Sequence, residues 1–375
     1  MQKSVGYNKK RAAALMEKYN FDIMFVTSPL NVYYTSGLPM LHSSPNPILE
    51  ALSNKFPNFS IIHRNGDVTA INWGAFGSFD EFCWANKRIP IFTADMLDDA
   101  LWGKLKEMGL AGCRAGVEST VPKYIADALT GDELEMKIEV CDELLNVLRL
   151  VKSKEEIVFL TKAAEITQTV INKCLGFLKE GITDNELIKF ARDEMLKAGA
   201  DDWNHFTIRF GDSDPEGPGT GRKLKRDELV RIDLGIIYKG YASDINKHAI
   251  IGKADEETKP ILDGLRRLQS YCAEHIKPGV NMSEIGFEAL DWYEENIPNG
   301  SAYVMGHSIG LQVEDLHLFG TMGGQDMEFE ENIVFEIEAW EDYNDTHLGV
   351  EDLYIVTKTG CKKLSSLTSD IYEIK

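Results

Sequence analysis

The sequence predicts an α+β protein with two domains, residues 1–150 and residues 151–375. Three observations lead to this prediction. The chain has 375 residues, which is long for one compact domain and sufficient for two. Helical and strand patterns alternate through its first part. In its second part helices come first and antiparallel strands follow, an order typical of the α+β class.

The N-terminal domain is predicted to be a small α/β unit. Apolar residues recur at helical spacing from Lys10 to Tyr19, and the apolar run from Asp22 to Thr27 predicts a short buried strand. Two further strands are predicted at residues 59–62 and 68–71. This alternation ends near residues 141–150, where we place the domain boundary.

The C-terminal domain begins with two helices whose starts are marked by capping boxes. Ser153 is followed three residues later by Glu156, and Thr183 is followed in the same way by Glu186. After Asp227 the pattern changes to strands. They are predicted at residues 229–238, 241–251, 333–340 and 353–357.

Composition excludes several classes of protein. With 60 acidic and 40 basic residues the net charge is −20, which argues against nucleic acid as a partner because phosphate binding needs a basic surface. No apolar run reaches the ~18 residues of a membrane span, and the N-terminus lacks the apolar core of a signal peptide. We therefore expect a cytoplasmic protein without a membrane partner. Its six cysteines form no CxxC pair and are expected to be reduced.

Two pairs of acidic residues stand out in the predicted strands. If the chain turns at Tyr238-Lys239, Asp233 and Asp244 fall opposite each other on a hairpin. Glu338 and Glu351 repeat the arrangement around Asn344-Asp345. Opposed side chains have Cβ atoms about 4.5–5.5 Å apart. Carboxylates held that close repel, so a cation is expected between them.

His307 is the candidate nitrogen ligand, because it lies between Gly306 and Gly310, where the backbone can bend toward an ion. Simpler interpretations exist for each of these residues. A strand aspartate is often only exposed, and a lone histidine is more often structural than a ligand. The prediction of a metal site therefore depends on the whole set and on its order along the chain.

That ordered set resembles the pita-bread metalloenzymes, which include methionine aminopeptidase, aminopeptidase P, prolidase and creatinase. Residues 227–245, 306–311 and 333–338 are similar to the metal-binding strands of that family, and residues 28–37 to its creatinase-type N-terminal domain. The resemblance covers nearly the whole chain. It implies a creatinase-like α/β N-terminal domain, a C-terminal pita-bread domain and a homodimer. It also implies two divalent ions, manganese, iron, cobalt or zinc, bound by Asp233, Asp244, His307, Glu338 and Glu351.

The chain departs from the peptidases of this family at the residues around the metals. Glu216 and Glu314 stand where prolidases have histidines, and Tyr303 stands where a histidine often precedes the ligand histidine. An arginine is common two residues before the last ligand, and here that position is Gly349. A neutral histidine donates a hydrogen bond to a substrate carbonyl, whereas an ionised glutamate only accepts one. Glu216, Glu314 and Tyr303 are therefore the candidate catalytic residues.

Acidic and aromatic residues near the motifs suggest a pocket for a cation. Glu336 shares a strand face with Glu338, and aromatic faces combined with acids bind quaternary ammonium groups. For each aromatic residue taken alone, the notion of an ordinary place in the core is favoured over a role in binding. The candidate substrate-binding residues are Trp203, His205, Glu336 and Trp340.

Three functions follow from the sequence. The first is a non-peptidase metalloenzyme that cleaves a C–N bond of a small cationic metabolite by hydrolysis, or a C–S or C–N bond by elimination. The second is an Xaa-Pro dipeptidase or aminopeptidase with altered residues around the metals. The third is a non-catalytic binding protein on the same scaffold, which the retention of all five ligands disfavours.

Overall fold

The fold was analysed in a computed structural model, which describes residues 4–39, 58–74, 81–93, 96, 102–211, 219–298, 300–344, 346–367 and 369–375. The chain divides into two compact units, Met1–Arg149 and Leu150–Lys375. No helix within the described ranges is long and apolar enough to cross a bilayer.

The first unit is built on a six-stranded mixed sheet. Its strands are β1 (Ile23–Val26), β2 (Phe59–His63), β3 (Val68–Trp73), β4 (Lys87–Ile91), β5 (Arg114–Val117) and β6 (Lys137–Val140). They lie in the order β4-β3-β2-β1-β5-β6, with β1 antiparallel to β2 and parallel to β5. The predicted strands after Asp22, at 59–62 and at 68–71 are confirmed.

The described residues of this part of the chain include five helices. They are α1 (Lys9–Lys18), α2 (Pro29–Ser36), α3 (Lys104–Glu107), α4 (Lys123–Thr130) and α5 (Asp142–Leu150). The predicted first helix is confirmed, and Asn8 caps it by accepting a hydrogen bond from the Arg11 backbone N–H. The apolar core includes Phe25, Ile61 and Ile125, all almost fully buried.

The second unit contains two five-stranded sheets. The first is formed by β7 (Asp202–Phe210), β8 (Leu229–Tyr238), β9 (Tyr241–Ala242), β10 (Ile245–Ile251) and β16 (Ile371–Ile374), with the main path β16-β10-β8-β7. The second is formed by β11 (Ala302–Ser308), β12 (Leu316–Gly320), β13 (Val334–Tyr343), β14 (Thr346–Val356) and β15 (Cys361–Lys363), in the order β12-β11-β13-β14-β15.

Each of these sheets is backed by a pair of helices. Helices α6 (Lys154–Phe177) and α7 (Asp184–Ala198) pack against β8 and β7, whereas α8 (Thr258–His275) and α9 (Met282–Asn296) pack against the second sheet. Both predicted capping boxes are confirmed, with Ser153 and Thr183 as the N-caps. Helices α8 and α9 and strands β7, β11, β12, β15 and β16 were not predicted from the sequence.

Alternation along the strands decides which residues face the helices. In β13, Phe335, Ile337 and Ala339 are fully buried in the core formed with α8 and α9. Side chains alternate between the two faces of a strand, so Glu338 and Trp340 point away from those helices. The same alternation turns Asp233 away from the buried Ile232 and Leu234 of β8. The acidic residues thus occupy the face of each sheet that its helices do not cover.

Candidate metal centre

The first acidic pair lies on the predicted hairpin in a different register. The chain turns at Lys239 and Gly240, which have φ of +53° and +83°, one residue beyond the predicted turn. Asp233 is opposite Asn246 rather than Asp244. Asp244 lies in the break between β9 and β10, at the level of Gly235. The prediction that the two aspartates are directly opposed is therefore wrong; they are diagonal neighbours.

Gly235 explains how the strand can break at Asp244. A Cβ atom on Gly235 would lie 1.9 Å from the Ser243 carbonyl oxygen. Ser243 also ties the break to β8, since its backbone N–H donates to the Ile236 carbonyl oxygen at 3.0 Å. The missing side chain therefore leaves room for the chain to press against β8 and to turn the Asp244 carboxylate toward Asp233.

The second acidic pair has the predicted geometry. Tyr343 pairs with Thr346 across the turn, where Asn344 has φ +47°, and Glu338 is directly opposite Glu351. Asp345 lies outside the described residues. Two glutamates thus project side by side from β13 and β14 on the face that is free of helices.

His307 presents one ring nitrogen to the acidic residues. Its Nδ1 lies 3.2 Å from the Val313 carbonyl oxygen, which can only accept, so this nitrogen donates and the lone pair is on Nε2. Nε2 is 3.6 Å from Glu351 Oε1. Such a backbone contact fixes the tautomer that a ligand histidine needs. Gly306 is required beside it, because a Cβ there would lie 2.1 Å from the Phe319 ring.

Four of the five predicted ligands fall into two triads of potential ligand atoms. His205, Asp233 and Asp244 form one triad, and Asp244, His307 and Glu351 form the other; within each, the atoms lie within 4.8 Å of one another. Glu338 joins them by its pairing with Glu351. Buried donors of this kind, carboxylates with imidazole, suit a divalent ion.

Arg231 is the main positive charge of the site and was not predicted. It lies two residues before Asp233 on the same strand face, and its Nη2 is 2.5 Å from Asp233 Oδ2 and 3.8 Å from Glu338 Oε1. It therefore supplies, from β8, a cation near the candidate ligands. The position on β14 at which the family commonly has an arginine is Gly349 in this chain. The only sequence signal for Arg231 was its spacing from Asp233.

The raised pKa values of Glu338 and Glu351 reflect an excess of buried negative charge in the site. Burial, together with Asp233, raises the pKa of Glu338 to about 8 although Arg231 opposes this. Burial and the neighbouring Asp244 and Glu338 likewise raise the pKa of Glu351 well above its usual range. Burial alone would raise the pKa of Asp233 too, but Arg231 and His205 lower it. A bound cation would relieve this repulsion, which is the physical reason to expect one here.

Glu336 lies beneath the site rather than in its wall. It is opposite His307 in β11 and fully buried, and neither carboxylate oxygen has a hydrogen-bond partner in the described structure. Burial raises its pKa well above the usual range, and Asp244 and Asp352 add to this. The surface exposed to a substrate therefore does not include Glu336, contrary to the predicted substrate-binding role.

The predicted aromatic residues occupy two different places. Tyr303 and Trp340 pair across β11 and β13 on the same face as Glu338, with ring centroids 5.5 Å apart and planes 18° apart. Trp203 pairs with Ile236 on the opposite, helix-covered face, where it stacks on Phe206 under the Arg192 guanidinium. The prediction that Trp203 lines the substrate site is wrong, because a bulge in β7 reverses its side.

Of the two predicted catalytic glutamates, Glu314 lies among the described residues and Glu216 does not. Glu314 is exposed and close enough to add to the electrostatic rise of the Glu338 pKa. Glu216 lies outside the described residues. The structure thus brings Tyr303, Trp340, Glu314 and His205 close to the five candidate ligands.

Comparisons with known proteins identify the family of the chain. The sequence profile of metallopeptidase family M24 matches residues 159–358. The chain belongs to family M24. An uncharacterized peptidase of Staphylococcus epidermidis is 28% identical over 363 residues, which cover 95% of this chain and 98% of the relative. The Xaa-Pro dipeptidase of Pyrococcus furiosus is 23% identical over 370 residues, with 96% and 98% covered.

Solved structures of this family have the same fold. The prolidase of Pyrococcus horikoshii superposes with a TM-score of 0.75 at 22% identity, covering 97% of this chain and 99% of that one. A dipeptidase from the same organism gives a TM-score of 0.81 at 18% identity, covering 97% and 99%. The predicted pita-bread fold is thereby confirmed. M24 membership and the similarity to Xaa-Pro dipeptidases support a metallohydrolase and imply divalent metal ions.

Proposed function

We propose that this M24 chain uses two divalent ions to hydrolyse a small substrate that carries a cationic group, and that dipeptides are not its substrates. The observation that carries the proposal is the stacked pair Tyr303–Trp340 beside Glu338. The ions would be held by Asp233, Asp244, His307, Glu338 and Glu351.

The aromatic pair offers a surface on which a cation can rest. Tyr303 is 43% exposed, so a large part of its side chain is open to solvent. A quaternary ammonium or guanidinium group over such a face gains about 0.5–2 kcal/mol. Trp340 follows Glu338 by two residues in β13, so the two side chains lie on the same face. The proposed cation-binding surface is therefore next to the candidate metal ligands.

Glu314 is the residue to which we assign proton transfer, because it is exposed and close enough to Glu338 to affect its pKa. Two ions in such a site supply a nucleophile at neutral pH and polarise the bond to be cleaved. Glu314 accepts at its carboxylate oxygen the proton that the attacking water loses. The water oxygen bonds to carbon, the carbon–nitrogen bond breaks, and the proton passes from Glu314 to the leaving nitrogen.

A second candidate is an Xaa-Pro dipeptidase. It is supported by the full-length similarity to the Pyrococcus furiosus dipeptidase. It is opposed by the glutamate and tyrosine at positions 314 and 303, where the peptidases hold substrate with histidines. An ionised carboxylate cannot donate the hydrogen bond to a peptide carbonyl that a neutral histidine donates.

The test compares matched substrates on the metal-loaded protein. Amides bearing a trimethylammonium group are assayed beside their neutral tert-butyl isosteres and beside Ala-Pro and Gly-Pro. We expect turnover of the cationic series only, and loss of that preference in Trp340→Leu but not in Trp340→Phe, which keeps an aromatic face. Products formed in ¹⁸O-labelled water distinguish hydrolysis, which incorporates the label, from elimination.

Rapid turnover of Ala-Pro or Gly-Pro with no preference for the cationic amides would overturn the proposal in favour of the dipeptidase. Absence of bound metal in the purified protein, with no activity after metal is added, would instead favour a binding protein.

A further inference from the structure

A sixth candidate ligand faces the metal centre from β7. His205 Nε2 lies 3.2 Å from Asp233 Oδ1 and 3.1 Å from Asp244 Oδ1. These three residues form a triad of the same composition as Asp244, His307 and Glu351, one imidazole with two carboxylates. The two triads share Asp244, so that each could take one ion.

Local structure holds the His205 ring in this position. The register of β7 against β8 shifts between Trp203 and His205, and this bulge turns His205 to the acidic face of the sheet. The ring then packs on Gly235, where a Cβ atom would lie 3.1 Å from His205 Cε1. The same glycine that makes room for the chain at Asp244 therefore makes room for the imidazole.

Arg231 does not occupy the carboxylate oxygen of Asp233 that faces His205. Arg231 engages Asp233 through Oδ2, so Oδ1 of Asp233 is the atom presented to His205. Nε2 of His205 and the facing oxygens of the two aspartates are therefore close enough to share one ion.

We propose that His205 is a metal ligand, which binds through Nε2 the ion that Asp233 and Asp244 also hold, so that each of two ions has one imidazole. This rests on the metal centre of the proposed function and adds a ligand to its five. It replaces the predicted substrate-binding role of His205.

The added imidazole has a consequence for metal choice. Sites with only carboxylates favour magnesium, calcium or manganese, whereas imidazole suits zinc, copper, iron and nickel. With His205 as a ligand, neither position is a purely carboxylate site. The centre should therefore retain zinc or iron in preference to magnesium at both positions.

The test measures metal binding without any substrate. Wild type, His205→Ala, His307→Ala and the control His275→Ala, which changes an exposed histidine of α8, are titrated with Zn²⁺ and Mn²⁺ by calorimetry. Metal content after gel filtration is counted by mass spectrometry. We expect about two ions per chain in wild type and in the control. In His205→Ala we expect one ion to be retained and the other to bind at least 10-fold more weakly.

The outcomes separate this inference from the proposed function. Two ions bound with unchanged affinity in His205→Ala would overturn the ligand role and leave His205 as a hydrogen-bond donor to the aspartates. No ion bound to wild type would overturn the metal centre itself. If His205→Ala does not fold, His205→Asp decides. A shift of one position from Zn²⁺ toward Mn²⁺ supports the ligand role, and an unchanged preference overturns it.

Discussion

Replacing Glu338 by Gln should stabilise the metal-free protein at alkaline pH and destabilise the metal-loaded protein. Glu338 is opposite Glu351 and its side chain is largely enclosed. Its pKa is raised from 4.5 to about 8 by burial and by nearby carboxylates. The folded chain therefore keeps a proton on Glu338 over a pH range in which the unfolded chain has released it.

The sign and size of the effect follow from this range. Below pH 4.5 both states hold the proton, so Glu338 gives no pH dependence there. From pH 4.5 to about 8 only the unfolded state releases it, so stability falls as pH rises. At about 1.4 kcal/mol per pH unit, the total loss at this residue is roughly 5 kcal/mol. A glutamine does not titrate and should remove this slope.

The assay is urea unfolding of chelator-treated protein between pH 4.5 and 8.5, with the exposed Glu331→Gln as control. We expect Glu338→Gln to be more stable than wild type at pH 8 without metal, and less stable once Mn²⁺ or Zn²⁺ is added. A variant that is no more stable than wild type at pH 8 in the metal-free state would refute the electrostatic reasoning. A control that behaves like Glu338→Gln would show that the effect is not specific to the site.

Three further changes test the supporting residues. Gly235→Ala puts a Cβ against the Ser243 carbonyl oxygen. It should cost about 1–3 kcal/mol and reduce metal content, and normal metal content would contradict the account of the break at Asp244. Arg231→Leu leaves Asp233 without its cation and should cost about 3–5 kcal/mol of unfolding free energy in the metal-free protein, with a smaller loss once metal is bound; equal losses in both states would argue against charge compensation. Burial lowers the pKa of His248 from 6.5 to about 3, so wild type should lose stability as pH falls through that range, whereas His248→Asn should lose less. Parallel acid-unfolding curves for wild type and His248→Asn would contradict that assignment.

Those parts of the fold and of the candidate metal centre that depend on neighbouring residues in the sequence could be predicted. Ser153 and Thr183 mark helix starts through bonds that span three residues, and the structure contains both. Glu338 and Glu351 lie on a hairpin with a two-residue turn, so equal distances from that turn fix their pairing. Local patterns of this kind depend little on the rest of the fold.

The parts that could not be predicted depend on irregular strands. The register of Asp244 follows from a break in pairing that Gly235 allows, and a lone glycine in a strand does not specify where its partner bends. His205 and Trp203 would share a face in a regular strand, but a bulge puts them on opposite faces of β7, a strand that was not predicted. The burial of Glu336 follows from its position opposite His307, which depends on how distant segments pair.

Asp244 belongs to both triads, and its place in the chain has a consequence for the order of folding and metal binding. One triad comes entirely from the contiguous strands β7 to β10, whereas the other joins Asp244 to β11 and β14, far along the chain. Closing a longer loop costs more conformational entropy. The first ion could therefore be captured by a partly folded chain, while the second has a site only after both sheets have met. Loading of the second ion would then report completion of folding.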